Sequence, residues 1–142
     1  MGTISQPAQS APTIMIADCD EEDRCLLKSI LELKGFTVLE AANGQEAFDL
    51  AMSSNPSLML IDLKLPVVGG FTVIRRMRKL ARLRDIPIIA ISLSEPASHR
   101  RLALAAGCAA HIDKPIEFQE LDVLIDRFLP GERWHLASAM VH

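Results

Sequence analysis

The sequence lacks a surplus of positive charge. Its 18 acidic residues outnumber its 15 basic residues, and the formal net charge is −3. Proteins that bind nucleic acid or an anionic membrane through a broad electrostatic field carry a positive excess instead. We therefore expect this chain to bind neither a nucleic acid nor a membrane surface.

Cysteines are few, and they are not arranged in pairs. Cys19, Cys25 and Cys108 form neither a CxxC pair nor the regular framework of a disulfide-stabilised domain. The first residues resemble neither a signal peptide nor a membrane-spanning helix. These absences predict a reduced, cytoplasmic setting, in which Cys25 and Cys108 serve as small apolar residues of the core.

Phosphate-binding loops are also missing. The sequence has no Walker lysine motif, and its first apolar run is not followed by a loop rich in serine, threonine and glycine. Such loops bind phosphate groups through their backbone N–H groups. Their absence argues against a P-loop nucleotide-binding protein and against a flavodoxin-type FMN site.

The sequence does contain enough apolar residues for one domain. Hydrophobic residues make up 49% of the 142 residues, which predicts a single fold with a core of ordinary size. We expect residues 1–12 to form a flexible leader, residues 13–130 the domain, and residues 131–142 a C-terminal tail. This tail is too short for an output domain, so a single-domain protein is expected unless the chain is a piece of a longer one.

Short apolar runs alternate with helical patterns along the domain. The predicted strands cover residues 13–17, 36–40, 58–61, 88–91 and 109–112. A helical pattern follows each strand; the first ends near Gly35, and the last three cover residues 71–83, 97–106 and 118–128. This alternation predicts a doubly wound, five-stranded parallel sheet with five helices on its two faces, a three-layer α/β sandwich.

The helical patterns also predict which helix faces are buried. The apolar face of the first helix is predicted to comprise Leu26, Leu27, Ile30, Leu31 and Leu33. The basic run at residues 75–84 is predicted to lie on a solvated helix face, and so are His99, Arg100 and Arg101.

Polar side chains stand where four of the strands end. Asp18 follows the first strand, Asp62 ends the third, Ser92 follows the fourth, and Lys114 follows the fifth. In parallel α/β sheets, the carboxyl ends of the strands meet at one edge, where ligands bind. If these four strands are neighbours, their polar side chains converge on one crevice.

These residues carry a resemblance to a known family. The acidic cluster, the single Asp62 followed by Pro66 and Gly69, the strand-end hydroxyl and the Lys-Pro pair before the last helix occur in the order found in receiver domains of two-component response regulators. The resemblance covers residues 14–129, nearly the whole chain. It implies a flavodoxin-like arrangement of the sandwich.

The resemblance implies a role for each strand-end residue. Asp62 is expected to be the phosphoacceptor, which takes a phosphoryl group from a phosphohistidine on a histidine kinase or a histidine phosphotransfer protein. Lys114 is expected to pair with the phosphoryl oxygens and Ser92 to be the switch hydroxyl. His111 occupies the place where the family usually has a switch aromatic residue, and Pro115 is expected to follow a cis peptide bond. The domain would be a phosphoacceptor rather than an enzyme.

The resemblance also implies a magnesium site, and this sequence departs from the family pattern there. Asp18, Asp62 and the backbone carbonyl of Lys64 match the expected ligands. Cys19 stands where the family has a second, adjacent acid. Because magnesium requires hard oxygen ligands and thiolates favour softer metals, this atypical pocket is expected to bind Mg²⁺ less tightly.

Two interpretations of the altered pocket remain open. In one, the ammonium group of Lys64 partly replaces the cation, since a unit charge about 4 Å from Asp62 is worth roughly 4 kcal/mol at an effective dielectric constant near 20. In the other, Lys64 points into solvent and Asp20 turns into the pocket to serve as a metal ligand.

Signal output is expected from the surface of the fourth helix, fifth strand and fifth helix, residues 97–129. Phosphorylation would change this surface, which would bind a downstream protein target or a second copy of the chain.

Two alternatives were considered. With Cys19 in the pocket, the domain could bind partners without being phosphorylated, as a pseudo-receiver. The DxD pattern of Asp18 and Asp20 also resembles the first motif of haloacid-dehalogenase-type phosphohydrolases, with Asp18 as the nucleophile. Glu21 and Glu22 argue against this enzyme, because that family has small or hydroxyl residues there.

Overall fold

A parallel sheet of five strands forms the centre of the protein. The computed structural model describes residues 11–93 and 97–131; most of the predicted leader and tail therefore lie outside the described residues. The strands are β1 (Thr13–Ala17), β2 (Thr37–Ala41), β3 (Leu58–Asp62), β4 (Ile88–Leu93) and β5 (Ala110–Lys114). The helices are α1 (Glu21–Leu33), α2 (Gly44–Ser54), α3 (Gly70–Arg78), α4 (Ser98–Ala106) and α5 (Phe118–Phe128).

The order of the strands confirms the predicted doubly wound sheet. The spatial order is β2-β1-β3-β4-β5, and every neighbouring pair is parallel. The chain therefore moves outward from β1 to β2 and then returns past β1 to build the other side of the sheet. β1, β3, β4 and β5 are consecutive neighbours, so the condition for the convergence of their polar residues is met and their carboxyl ends share one edge.

Two apolar layers cover the sheet. One contains side chains from α2, α3 and α4, and the other contains side chains from α1 and α5. β3 is buried along its whole length, as expected for a central parallel strand that is covered on both faces. The three-layer sandwich is confirmed, with β3 and its terminal Asp62 at its centre.

Helix α1 buries a narrower face than its sequence predicts. The side chain of Asp20 caps its N-terminus, and Leu27 and Leu31 are buried against the sheet. Leu26 and Leu33 are 52% and 60% exposed, so their assignment to the core is wrong. Residues four apart share one helix face, and only the face that contains Leu27 and Leu31 reaches the sheet.

The cysteines divide between core and surface. Cys108 is buried, as predicted. Cys25 is exposed on α1, which contradicts its predicted place in the core, because it lies on a face of the helix that does not meet the sheet. Cys19, which precedes α1, is also exposed.

Helix α3 ends earlier than predicted, and Arg78 is the reason. The pattern predicts a helix to residue 83, but α3 ends at Arg78 and a series of turns follows. The guanidinium group of Arg78 donates to the backbone carbonyls of Arg84 and Ile86, at 2.9 and 2.7 Å, and to that of Gly107 at 2.7 Å. These bonds hold the turns against the end of α3, so Arg78 is not part of a solvated face.

We expect Arg78→Met to lower the free energy of unfolding by about 3 kcal/mol. Hydrogen bonds from a charged group contribute about 1.5–3 kcal/mol each, and methionine leaves all three carbonyls without their donor. Urea denaturation of both proteins measures the effect. Arg75→Met on the exposed face of the same helix is the matched control, with an expected change within about 0.5 kcal/mol. Equal effects of the two substitutions would contradict this role for Arg78.

None of the helices in residues 11–93 and 97–131 combines the length and the apolar character that are needed to cross a bilayer.

Candidate functional site

The strand-end residues surround one pocket at the carboxyl edge of the sheet. Asp62 is the last residue of β3, Ser92 is the last residue but one of β4, and Lys114 ends β5. These three residues line a pocket of about 510 Å³. Asp18, directly after β1, contacts the same lysine from the side. The convergence that the sequence predicts is therefore present in the structure.

The loop after β3 is held tightly against the end of that strand. The N–H group of Gly70, the first residue of α3, donates to the carbonyl of Leu63 at 3.2 Å. A Cβ atom on Gly70 would lie 2.7 Å from the carbonyl oxygen of Asp62 and 2.7 Å from the Cα of Leu63. Glycine is therefore required for α3 to begin this close to Asp62.

The carboxylate of Asp62 is buried and fixed by two donors. Its residue is 5% exposed. Oδ1 accepts a hydrogen bond from the backbone N–H of Lys64 at 2.8 Å, and Oδ2 accepts one from Nζ of Lys114 at 2.6 Å. Because each oxygen has its own donor, the carboxylate presents a defined orientation to the pocket.

Lys114 is the cation that pairs with the carboxylate of Asp62 in this pocket. Its Nζ lies 2.6 Å from Asp62, 3.6 Å from Asp18 and 3.5 Å from Asp23. Burial by itself lowers the pKa of Lys114, but the hydrogen bond to Asp62 and the charges of the three carboxylates outweigh burial and raise the pKa above its ordinary value. Lys114 is therefore fully charged at neutral pH.

Asp18 is the most enclosed of the acids. It is 2% exposed, and its Oδ1 accepts a hydrogen bond from the backbone N–H of Asp20 at 2.8 Å. Burial raises the pKa of Asp18, and the hydrogen bond from Asp20 and the charge of Lys114 partly oppose that rise. Asp62 lines the pocket and Asp18 is not among its lining residues, which weighs against the phosphohydrolase alternative with Asp18 as the nucleophile.

Asp23 is a site residue that the sequence analysis missed. It lies in the first turn of α1, and its Oδ2 is 3.5 Å from Nζ of Lys114. Acidic residues are common in the first turn of a helix, so the sequence does not distinguish Asp23 from an ordinary acid at a helix N-terminus. The peptide bond between Lys114 and Pro115 is cis, as the resemblance implied.

The oxygen atoms that could hold a magnesium ion lie together, and Cys19 lies beside them. Sγ of Cys19 is 3.8 Å from the carbonyl oxygen of Lys64. The sulfur is thus next to one of the three expected oxygen ligands, the carbonyl of Lys64. In the part of the chain that the structure describes, no three His, Cys, Asp or Glu side chains are clustered as a metal site.

The donors that are present suit an ion that keeps much of its water. Asp18 and Asp62 supply carboxylate oxygens, and Lys64 supplies a carbonyl oxygen. Magnesium commonly binds through one or two carboxylates and retains several waters. The residues therefore fit Mg²⁺, with the thiol of Cys19 as the one unsuitable group.

The structure shows where the two residues of the altered-pocket interpretations, Lys64 and Asp20, lie. Lys64 is exposed, and among residues 11–93 and 97–131 its ammonium group has no carboxylate partner. Lys64 lines the pocket of Asp62, but only Lys114 pairs with that carboxylate in the described residues, so the role of Lys64 as a replacement cation stays a prediction. Asp20 does not turn into the pocket either, since its Oδ1 accepts hydrogen bonds from the N–H groups of Glu22 and Asp23 and so caps α1.

Ser92 is hydrogen-bonded to His111, and the sequence did not predict this pair. Oγ of Ser92 and Nε2 of His111 are 2.7 Å apart, and both residues are 4% exposed. In the register of β4 and β5, His111 lies opposite Ala90 and Asp113 lies opposite Ser92. Ser92 and His111 are thus diagonal neighbours on adjacent strands, a relation that becomes visible only when the register is known.

His99 also faces the pocket, which corrects its predicted place on a solvated face. Its ring packs edge-on against Phe71, with 6.0 Å between the ring centroids, and both residues line the pocket that contains Asp62. The side chain bridges α4 and α3 because these two helices pack beside each other on the same face of the sheet.

Comparison with known proteins agrees with this geometry. The family model of the response regulator receiver domain matches residues 14–126. The polar-differentiation response regulator DivK of Brucella anthropi is 32% identical over 127 residues, which cover 89% of this chain and 98% of DivK. The DivK of Brucella ovis is 31% identical over the same shares of the two chains.

Solved structures show the same fold. A putative response regulator from Chloroflexus aurantiacus has a TM-score of 0.80 and 28% identity, covering 84% of this chain and 98% of its own. The receiver domain of a sensor histidine kinase from Pseudomonas aeruginosa, which holds a magnesium ion in its active-site cleft, has a TM-score of 0.77 and 25% identity, covering 83% and 97%. With the family model matched over nearly all of the sandwich and relatives aligned over almost their full length, the chain belongs to the response regulator receiver domains of two-component signalling.

Proposed function

We propose that this protein accepts a phosphoryl group on Asp62 from a phosphohistidine of a partner histidine kinase or histidine phosphotransfer protein. One observation carries the proposal: a buried, doubly hydrogen-bonded carboxylate lies 2.6 Å from a charged lysine in an open pocket. The protein acts as a phosphoacceptor in the cytoplasm rather than as an enzyme that turns over a separate substrate.

The chemistry that such a pocket supports is phosphoryl transfer. A carboxylate oxygen of Asp62 bonds to the phosphorus while the P–N bond of the donor breaks and its electron pair returns to the imidazole. Since charge gathers on the phosphoryl oxygens in this reaction, the protein contributes mainly position and positive charge. Asp62 is oriented by the N–H of Lys64, and Lys114 supplies the charge.

We propose that Mg²⁺ assists this reaction, as the ion seen in the Pseudomonas relative suggests. Asp18, Asp62 and the carbonyl of Lys64 would hold it, and waters and a phosphoryl oxygen would complete its ligands. The ion would neutralise charge on the phosphoryl group. Because Cys19 adds no hard oxygen ligand, we expect weaker magnesium binding than a pocket with two adjacent acids would give.

The signal leaves through the surface formed by α4, β5 and α5, where a downstream protein or a second copy of the chain would bind. Ser92 on β4 is the link between the pocket and this surface, because it lines the pocket and bonds to His111 of β5. A phosphoryl group that attracts the Ser92 hydroxyl changes the contact between Ser92 and His111 of β5. This change shifts the equilibrium between two conformations of the α4-β5-α5 surface.

Intact-mass measurement after incubation with acetyl phosphate tests the proposal. We expect one phosphoryl group on the wild-type protein in the presence of Mg²⁺ and none on Asp62→Asn. Asp49→Asn, an exposed acid on α2, is the matched control and should be modified like the wild type.

The exposed thiol of Cys19 favours a second candidate function, a binding domain that needs no phosphorylation. Absence of an adduct after incubation with acetyl phosphate and with a phosphorylated kinase would support that candidate.

A further inference from the structure

The hydroxyl of the buried residue Ser92 has two neighbouring atoms that could accept its proton. Hydrogen bonds from O–H donors have heavy-atom distances of about 2.5–3.0 Å. The 2.7 Å between Ser92 Oγ and His111 Nε2 lies inside that range, whereas the carbonyl oxygen of Leu93, 3.2 Å from the same Oγ, lies outside it. The nitrogen of His111 is therefore the better acceptor for the single proton of the Ser92 hydroxyl.

The surroundings of His111 favour the tautomer that can accept this proton. Its Nδ1 is buried without a hydrogen-bond partner and lies 3.6 Å from a carboxylate oxygen of Asp113. A proton on Nδ1 is attracted by that negative charge, whereas a lone pair on Nδ1 would be repelled by it. With the proton on Nδ1, Nε2 is free to accept from Ser92.

His111 is also expected to be neutral when the protein is unphosphorylated. Burial lowers its pKa from the ordinary value. Arg100 and His99 on α4 lower the pKa further, and Asp113 on β5 raises it without reversing the shift. A neutral ring retains the acceptor nitrogen that an imidazolium would lose.

We propose that His111 is a positioning residue that retains the proton of the Ser92 hydroxyl in the unphosphorylated state, so that Ser92 can donate to a phosphoryl group on Asp62 only after its bond to His111 breaks. The proposal rests on the proposed function of Asp62. Ser92 lines the Asp62 pocket and bonds to His111, so a phosphoryl group on Asp62 would compete with His111 for the single hydroxyl proton. An apolar aromatic side chain in place of His111 offers no such acceptor, and the competition is a consequence of the histidine.

A double-mutant cycle with beryllofluoride, a stable mimic of the phosphoryl group, tests the proposal. Titrations at fixed, saturating Mg²⁺ would compare the wild type, His111→Phe, Ser92→Ala and the double variant. We expect His111→Phe to bind beryllofluoride about 2- to 10-fold more tightly than the wild type, the range that one net hydrogen bond gives. In the Ser92→Ala background the same change should have no effect, because the hydroxyl that His111 retains is absent.

The outcomes separate the two proposals. If the wild type binds beryllofluoride but His111→Phe binds it no more tightly, or gains equally with and without the serine hydroxyl, the role of His111 is overturned and that of Asp62 stands. If the wild type and all variants fail to bind, the proposed function itself fails, and the role of His111 with it.

Nuclear magnetic resonance of ¹⁵N-labelled histidine gives a second test, which needs no variant. In the free protein we expect Nδ1 of His111 to be protonated and Nε2 to be an acceptor. On addition of beryllofluoride, the Nε2 resonance should move toward that of an imidazole nitrogen without a hydrogen bond. A protonated Nε2 in the free protein would overturn the proposal, because His111 would then be the donor and the Ser92 proton would be free.

Discussion

Cys19→Asp is expected to raise the affinity of the pocket for Mg²⁺ by about 30-fold. The sulfur of Cys19 lies 3.8 Å from the Lys64 carbonyl oxygen, so a carboxylate there would join the oxygens of Asp18 and Asp62. A unit charge about 4 Å from a divalent ion contributes about 2 kcal/mol even at the dielectric constant of water, which corresponds to about 30-fold in affinity. Isothermal titration calorimetry with MgCl₂ measures the change.

Cys25→Asp is the matched control for this prediction. It makes the same chemical change at a second exposed cysteine on α1, outside the pocket. We expect the magnesium affinity of this variant to stay within about twofold of the wild type, since Cys25 does not line the pocket and exposed charges more than about 8–10 Å apart are largely screened at physiological ionic strength. Equal gains in the two variants would contradict the placement of Cys19 beside the metal ligands.

Lys114→Met is expected to slow the phosphorylation of Asp62 by acetyl phosphate about 10²-fold. Lys114 is the only cation in the described part of the chain that pairs with Asp62, and removal of one donor that stabilises a developing negative charge typically costs 10²- to 10³-fold. Methionine keeps the apolar stem of the side chain and removes its charge. The rate follows from the time course of the intact mass at fixed acetyl phosphate and Mg²⁺.

Lys64→Met is the control for Lys114→Met. It removes a lysine only two residues from Asp62 whose ammonium group is exposed and has no carboxylate partner in the described ranges. Its rate should remain within about twofold of the wild type, because its backbone N–H, which orients Asp62, is unchanged. A comparable loss in both variants would show that general positive charge, and not the contact of Lys114, governs the reaction.

The positions of the strand-end residues could be predicted from the sequence because they follow from topology. Once strands and helices alternate, parallel pairing places the ends of β1, β3, β4 and β5 at one edge, and each polar residue needs only to be the first after its apolar run. Asp62 follows from this rule alone, whereas Lys114 comes after Asp113 and was singled out by the Lys-Pro pair in the receiver-domain resemblance. Their separation of 2.6 Å, the burial of Asp62 and the contact of Asp23 required the structure.

The errors have a common cause, since each depends on what a side chain meets far along the sequence. In the sequence, Arg78 is one of several basic residues in a run. In the structure, it donates hydrogen bonds to backbone carbonyls up to 29 residues away. Leu26 has the helical spacing of a core residue, yet the sheet does not extend to its side of α1. His99 meets Phe71 only because α3 and α4 pack together.

The measurement that tests the central claim most directly is the location of the phosphoryl group. After incubation with acetyl phosphate and Mg²⁺, borohydride reduces an aspartyl phosphate to homoserine, and tandem mass spectrometry of the peptides identifies the residue. We predict homoserine in place of Asp62 and at no other aspartate. Homoserine in place of Asp18, or none anywhere after phosphorylation by a phosphohistidine donor as well, would contradict the account.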